Sequence, residues 1–333
     1  MVTAHVTDAW TRIDDRQRDL YGYTVFIAGF AAPLFLFLAG LTLTLAASAR
    51  EQAAGHAAAA SQARWRALQI FALAFIFRLQ SQLFGWGPWL NFFKVDILNV
   101  MGLAMLAAAL LWSLSPRRTV RVMLFALITG VVAMITPLVR EAASVAALPD
   151  VLEAYIRPLP GLTTFAIFPW AAFLLGGTIT GELIFAAKND SEERRLQLGL
   201  LAAGLCGFAT AYWLSFKPSI YPAASFWTSS PTFFFIRLGI NTMLLPLAWS
   251  IERFAGVVIP TLGRSSLFVY WVNVEMVYGI SGRPLRRLLP VELSLAATVS
   301  LCAVLYLLVR WKDAKMQGVT LTGPLRILSP VLK

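Results

Sequence analysis

The sequence predicts an all-α protein, a polytopic bundle of transmembrane helices, and three observations carry that expectation. Of the 333 residues 58% are apolar and 13% aromatic, more than a water-soluble core and its surface absorb. The apolar residues gather into nine stretches, each near the roughly 20 residues that cross a bilayer, at 24–48, 65–84, 95–114, 119–140, 163–187, 195–215, 232–252, 264–281 and 291–311. The cations behind the net charge of +11 sit in the short separators, with no basic run interleaved with aromatics, so the charge reads as membrane topology and not as a nucleic-acid surface.

Taken in order, the chain opens with MVTAHVTDAW, too short to span anything, which reads as the outer end of a truncated N-terminal helix. Residues 24–48 form the first full span, and the Ala-rich residues 49–64 read as a cytoplasmic spacer loop. Short polar separators then make successive spans antiparallel, with the longest connections at 140–162 and 216–231 and Pro33, Pro137 and Pro246 inside spans. Residues 312–333 form a basic cytoplasmic tail, and 1–333 is one membrane-embedded domain without a visible repeat. Cys206 and Cys302 lie in apolar runs and read as small packing residues.

Orientation follows from the Lys and Arg bias of cytoplasmic loops. Arg50, Arg64, Arg66, Arg117, Arg118, Arg121, Lys188, Arg194, Arg195, Arg253, Arg264, Arg310, Lys312, Lys315, Arg326 and Lys333 share one side of the expected topology. They outnumber Arg12, Arg16, Arg18, Lys94, Arg140, Arg157, Lys217, Arg283, Arg286 and Arg287 on the other, so the tail lies inside and MVTAHVTDAW outside.

Ionisable residues inside spans are costly and therefore mark sites. At about 1.5 Å per helical residue, Arg78, Arg237 and Glu275 sit about 9 Å from the outer ends of their spans, and Asp96 lies in a first outer turn. Each alone reads equally as a structural ion pair; four at one depth read as an outer polar chamber. Gln80, Gln82, Asn99, Asn241, Asn273, Tyr270 and Tyr278 share that layer with Trp86, Trp89, Trp170, Trp227 and Trp271; the Tyr and Trp residues also fit an interfacial belt, so the amides are the more telling. Glu182 lies near an inner end, where it snorkels to the cytoplasmic surface. His5, about 7 to 8 Å below the outer end of its helix, shares the depth of the four charges and has Asp8 one turn away at i+3. It suits a general base or a nucleophile; a surface histidine on a disordered start is the plainer alternative. His56, in the spacer, reads as solvated.

No phosphate loop, H-E-x-x-H, G-x-S-x-G or metal-spaced Cys/His cluster occurs, which disfavours ATP hydrolysis and zinc chemistry. In GGTITG the spacing of Gly177 and Gly181 suits close helix packing better than phosphate binding.

AGFAAPLFLFLAGLTLTLAASAR (residues 28–50), KVDILNVMGLAMLAAALLW (94–112), FPWAAFLLGGTITGELI (168–184) and LGRSSLFVYWVNVEMVYG (262–279) together resemble the bacterial branch of the heparan-α-glucosaminide N-acetyltransferase catalytic family. The resemblance covers nearly the whole chain in order. It implies a membrane acyltransferase with acetyl-CoA as donor, and it makes His5 the candidate catalytic residue, at the tail of a first helix that relatives begin with a stretch like LDWLRG. Two departures stand out: the LDWLRG part is absent, and Asn273 stands where relatives commonly carry a histidine in the YWV motif. The lysosomal members carry a luminal histidine near the position of Asp19, Leu20 and Tyr21 here, so their heparan sulfate acceptor does not transfer by residue matching.

The resulting expectation is a multi-pass cell-membrane acyltransferase. It moves an acyl group, acetyl by the resemblance, from acyl-CoA to a hydroxyl or amine of an extracytoplasmic glycan or lipid-linked sugar. His5 is the base or acyl carrier, oriented by Asp8 or through space by Asp96 or Glu275. Arg78 and Arg237 bind donor phosphates or an oxyanion, and Asn273 and Asn99 donate hydrogen bonds. No metal is expected, and the partners are donor, acceptor and bilayer. A lipid or sugar transporter and a truncated inactive relative are the alternatives. The missing repeat and the off-midplane charges favour the enzyme.

Overall fold

Apolar runs without water to satisfy their backbone must close their hydrogen bonds internally, and a helix does this within one segment. In the computed structural model, which describes residues 1–85, 88–252, 258–319 and 323–332, the described chain is accordingly helical, with only two isolated backbone bridges outside helices. The helices are α1 (Val2–Trp10), α2 (Asp19–Ala28), α3 (Ala31–Ala54), α4 (His56–Gly85), α5 (Ile97–Ser113), α6 (Arg118–Glu141), α7 (Ala143–Ala146) and α8 (Asp150–Ile156). They continue with α9 (Ile167–Ile184), α10 (Asp190–Ser215), α11 (Pro231–Ile251), α12 (Val258–Arg264), α13 (Ser266–Tyr278), α14 (Val291–Met316) and α15 (Ser329–Leu332). Trp86, Arg253 and Lys333 lie outside the described residues.

Among the described residues, six segments are long and apolar enough to cross a membrane: Asp19–Ala54, α6, α9, α10, α11 and α14. The three other stretches expected from the sequence are helical too. α5 is apolar but only 17 residues long, α4 is interrupted by Arg64, Arg66, Gln69, Arg78, Gln80 and Gln82, and 264–281 is divided among the end of α12, α13 and a 3-10 turn at Ile280–Leu285. Residues 49–64 are not a loop: α3 runs to Ala54, Gly55 turns the chain at φ +83°, and α4 starts at His56. A side chain is strained at that φ, which is where glycine serves. The basic tail is likewise ordered in part. Lys312 is buried within α14 with its ammonium on Ser265 Oγ at 2.9 Å, and Pro330 and Val331 of α15 are buried. Cys206 is exposed on α10 and Cys302 half-buried on α14, both as free thiols.

The chain forms two compact units. The first comprises 1–32, 76–92 and 251–333. In it α1 is a packed helix, which removes the reading of the start as disordered. Val6, Ala9 and Trp10 enter a core with Val269, Val277, Leu301, Leu305 and Val309. Fully burying a side chain such as Val6 is worth about 1.5 to 3 kcal/mol, and the backbone adds further ties. Arg12 N donates to Leu289 O and Leu289 N to Trp10 O, both at 2.9 Å, and Trp10 Nε1 donates to Val277 O at 3.2 Å.

Beyond α1, the buried carboxylate of Asp15 accepts the Val291 N–H at 2.9 Å, filling one of the four open donors at the start of α14. That backbone hydrogen bond, helped by Arg12 and Arg18, holds the Asp15 carboxyl below its ordinary value of 3.8. The sign follows: stability from a lowered carboxylate is complete above the unfolded pKa and drains away as pH falls from there through the folded value. Detergent-solubilised protein is therefore expected to lose melting temperature below about pH 4, and Asp15→Asn to lose less on the same titration. Equal pH dependence in both proteins would remove Asp15 as the anchor.

The second unit comprises 33–75 and 93–250. Its centre is α9, buried among α3, α5 and α6 because small residues let backbones meet. A Cβ on Gly177 would stand 1.8 Å from Phe37 O, and one on Gly40 1.9 Å from Leu174 O. Thr44 Oγ1 donates to Thr178 O at 3.1 Å across the same contact. The GGTITG stretch is thus a helix-packing surface.

Candidate functional site

α13 builds the site because its helical spacing turns two stripes of functional residues to two neighbours. Tyr270, Asn273 and Val277, at i, i+3 and i+7, form a buried stripe. Trp271, Glu275 and Tyr278, at i, i+4 and i+7, form the stripe beside it. α1 meets these with His5 and Asp8, one turn apart, and the last part of α4 with Gln80 and Ser81.

His5 Nδ1 lies 2.5 Å from Nδ2 of Asn273, whose side chain is fully buried. The imidazole stands edge-on to Tyr270 and Tyr278, with centroids 6.1 and 5.7 Å apart. His5 itself is only partly covered. Asp8 accepts a 2.8 Å hydrogen bond from Tyr278 Oη, so its carboxylate supports the tyrosine that flanks the imidazole. Arg16 Nη2 closes the turn of chain beneath by donating to Asp8 O.

On the second stripe, Ser81 Oγ donates to Glu275 Oε1 at 3.0 Å and Trp271 Nε1 to Gln80 Oε1 at 2.8 Å. Phe77 packs on Tyr270 and Trp271, with ring centroids at 6.0 and 5.0 Å. Arg78 belongs to the same stretch of α4, one turn before Ser81. Of the residues picked out in the sequence, His5, Asp8, Arg78, Asn273 and Glu275 therefore fall in the first unit. Ser81 escaped sequence reading; its signal was the run Gln80, Ser81, Gln82, an oddly polar patch late in an otherwise apolar helix.

Asp96, Asn99 and Arg237 belong to the second unit. Asp96 is the N-cap of α5, accepting from Ile97 N at 2.7 Å, and Asn99 completes a capping box by accepting from Asp96 N at 3.1 Å. Asn99 Nδ2 also donates to Tyr155 Oη at 3.2 Å. The Arg237 guanidinium sits over the Phe233 ring at 4.1 Å, one turn back on α11.

Glu182 and His56 belong to one network in the second unit. Glu182 does not snorkel to the surface. It is fully buried, accepting from Trp112 Nε1 at 2.6 Å and from Arg121 Nη2 at 3.1 Å. Arg121, itself buried, extends to Glu51 at 3.0 Å and lies over the Trp112 ring at 4.4 Å. His56 is not freely solvated: Nδ1 is 2.7 Å from Glu51 Oε1, Nε2 is 3.2 Å from Ser113 O, and the ring stacks on Trp112 at 4.7 Å. Every charge in this cluster has a countercharge, which makes it a clasp among α3, α4, α5, α6 and α9.

In chemical terms the first unit holds an imidazole in a fixed pose beside a buried amide, a phenol and a carboxylate, the parts of a proton-transfer site. Residues 1–218 match the family model described as heparan-alpha-glucosaminide N-acetyltransferase, catalytic, a range that contains His5, Asp8, Arg78 and Ser81. No curated protein and no solved structure matches the chain.

Proposed function

Since this chain belongs to the heparan-α-glucosaminide N-acetyltransferase catalytic family, we propose that it is a multi-pass membrane acyltransferase carrying acetyl groups from acetyl-CoA to an extracytoplasmic glycan or lipid-linked sugar. The observation that carries this reading is His5: a partly covered histidine on a well-packed helix, held by Asn273 and flanked by Tyr270 and Tyr278.

In this reading all nine apolar stretches of the sequence lie in the membrane, with α1 on the extracytoplasmic side and the tail in the cytoplasm. Acetyl-CoA supplies an activated thioester. His5 takes the proton of the acceptor hydroxyl or amine as that oxygen or nitrogen attacks the acyl carbon, and then returns it to the departing thiolate, so the charge balances over one turnover. Arg78 and Ser81, one turn apart on α4, supply hydrogen bonds and positive charge toward the developing oxyanion. Glu275 offers a carboxylate to a cationic or hydroxyl-rich acceptor, and Asp8 keeps Tyr278 in place. A base contributes roughly 10²- to 10⁴-fold to such transfers.

The test is transfer itself. Purified full-length protein in detergent or nanodiscs, given acetyl-CoA labelled in the acetyl group and an amino sugar or surface-glycan extract, is expected to move label to the sugar and to release free coenzyme A. Neither transfer nor coenzyme A binding at millimolar concentration would overturn the assignment and return the polar layer to a transport role.

A further inference from the structure

Asn273 meets the His5 imidazole directly, and its geometry holds a chemical conflict. Asn273 Nδ2 faces His5 Nδ1 at 2.5 Å, while Asn273 Oδ1 is buried and accepts no hydrogen bond among the described residues. With the amide this way round, Nδ2–H donates to Nδ1, the ring proton resides on Nε2, and Nε2 is a donor. A histidine in that tautomer cannot take a proton at Nε2. A half-turn of the carboxamide reverses the arrangement: Oδ1 moves from a place without a donor to one opposite Nδ1–H, and the ring lone pair is then on Nε2. The amide's two ends have nearly the same shape, so the turn needs no change in backbone or packing.

The surroundings support a dedicated role. Asn273 is fully buried, on the same α13 stripe as Tyr270 and Val277, in the core that α1 enters with Val6, Ala9 and Trp10. Around the imidazole stand Tyr270 and Tyr278 of α13, with Asp8 one turn on along its own helix. Asp8 is engaged by Tyr278 and Glu275 by Ser81. The residue that sequence spacing nominates as orienter, Asp8 at i+3, thus buttresses a neighbouring ring, and the contact with Nδ1 falls to Asn273.

We infer that Asn273 is a positioning residue: its Oδ1 accepts from His5 Nδ1–H, fixing the tautomer and ring angle that leave Nε2 to receive the acceptor's proton. This rests on the reading of His5 as the base. The same division of labour, an amide or carboxylate holding one imidazole nitrogen so that the other reacts, is what a His-Asn or His-Asp pair does in acyl transfer generally.

Three variants of the full chain separate the possibilities. Asn273→Leu keeps the shape and removes the acceptor; kcat is expected to fall about 10- to 100-fold with KM changed less than about twofold. Asn273→Asp keeps an oxygen opposite Nδ1 and adds negative charge that favours the imidazolium. It is expected to retain most of kcat while the acidic limb of the kcat/KM profile moves up by about one pH unit. A folded Asn273→Leu with unchanged kcat, or an Asn273→Asp with the limb unmoved, overturns the inference. If Asn273→Leu does not fold, the Asn273→Asp profile decides alone, because packing loss does not move a titration. Full activity of His5→Ala would instead sink the reading of His5, whatever the Asn273 variants do.

Discussion

His5→Ala is expected to lower acetyl transfer by about 10²- to 10⁴-fold, equivalent to about 3 to 5 kcal/mol of transition-state stabilisation. The loss should fall on kcat, since the imidazole acts on a proton in flight and does not hold either substrate at rest. α1 is expected to stay packed, with the cost to stability confined to the lost contact with the buried Asn273 amide. α1 is held by Val6, Ala9 and Trp10 and by backbone bonds to Leu289, none of which involves the His5 side chain. The informative comparison is therefore turnover at matched melting temperature, with labelled acetyl-CoA saturating. Transfer by the variant at the rate of the unaltered protein would remove His5 from the chemistry and leave α1 with a purely architectural role.

The largest effect on stability is expected at Glu182, far from any proposed chemistry in the sequence of the chain. Glu182→Ala removes the carboxylate that both Trp112 Nε1 and Arg121 use, and Arg121 is only 2% exposed. Breaking a buried ion pair from one side costs about 3 to 5 kcal/mol, because the remaining charge stays out of water. Glu51 still faces Arg121, which sets the expectation toward the lower end of that range. Glu182→Gln, which keeps an acceptor for the indole, should lose less. Adding Arg121→Met to Glu182→Ala should restore part of the loss, since removing both charges cancels the desolvation penalty. Denaturation of the solubilised protein measures all three. A cost below about 1 kcal/mol for Glu182→Ala would mean the cluster is wet and its pairing superficial.

The case of Glu182 shows where sequence reading loses its grip. Position along an apolar run tells how far a residue lies from the nearest end, and from that distance snorkelling was the natural expectation. It does not tell what the neighbouring helices bring. Trp112 and Arg121 come from α5 and α6, and Arg121, counted in the sequence as one more loop cation, sits far enough inside α6 to turn inward. His56 follows the same rule: the turn at Gly55 sets it back against Glu51 of α3, and its other partner, Ser113, comes from α5, distant in the chain.

His5 was legible, and its partner was not. A helix puts residues i and i+3 on one face, so pairing His5 with Asp8 was the local solution. Yet residues sharing a face also share a neighbour, and here that neighbour is α13, which offers Asn273 to one and Tyr278 to the other. Local spacing thus singled out His5 and paired it with Asp8, whereas in the folded chain its imidazole meets Asn273. Asp96 and Asn99 carry a second local meaning: the pattern Asp-x-x-Asn before an apolar run is also a helix start, and the structure uses both residues as a capping box.

What the sequence determined by itself is everything set by composition and local periodicity: an all-helical membrane chain, long apolar segments such as α6, α10 and α14 placed within a few residues, GGTITG as a packing surface, and family membership. Those properties depend on segment length and residue type, which a linear chain carries in full. Only the tertiary structure decided that α1 is a packed helix, that 264–281 is broken around Ser265, that Glu182 closes an internal clasp, and that His5 meets Asn273. All but the break at Ser265 are contacts between helices distant in the chain, fixed by which faces can be buried together, and hydropathy along one segment contains no term for the face of another.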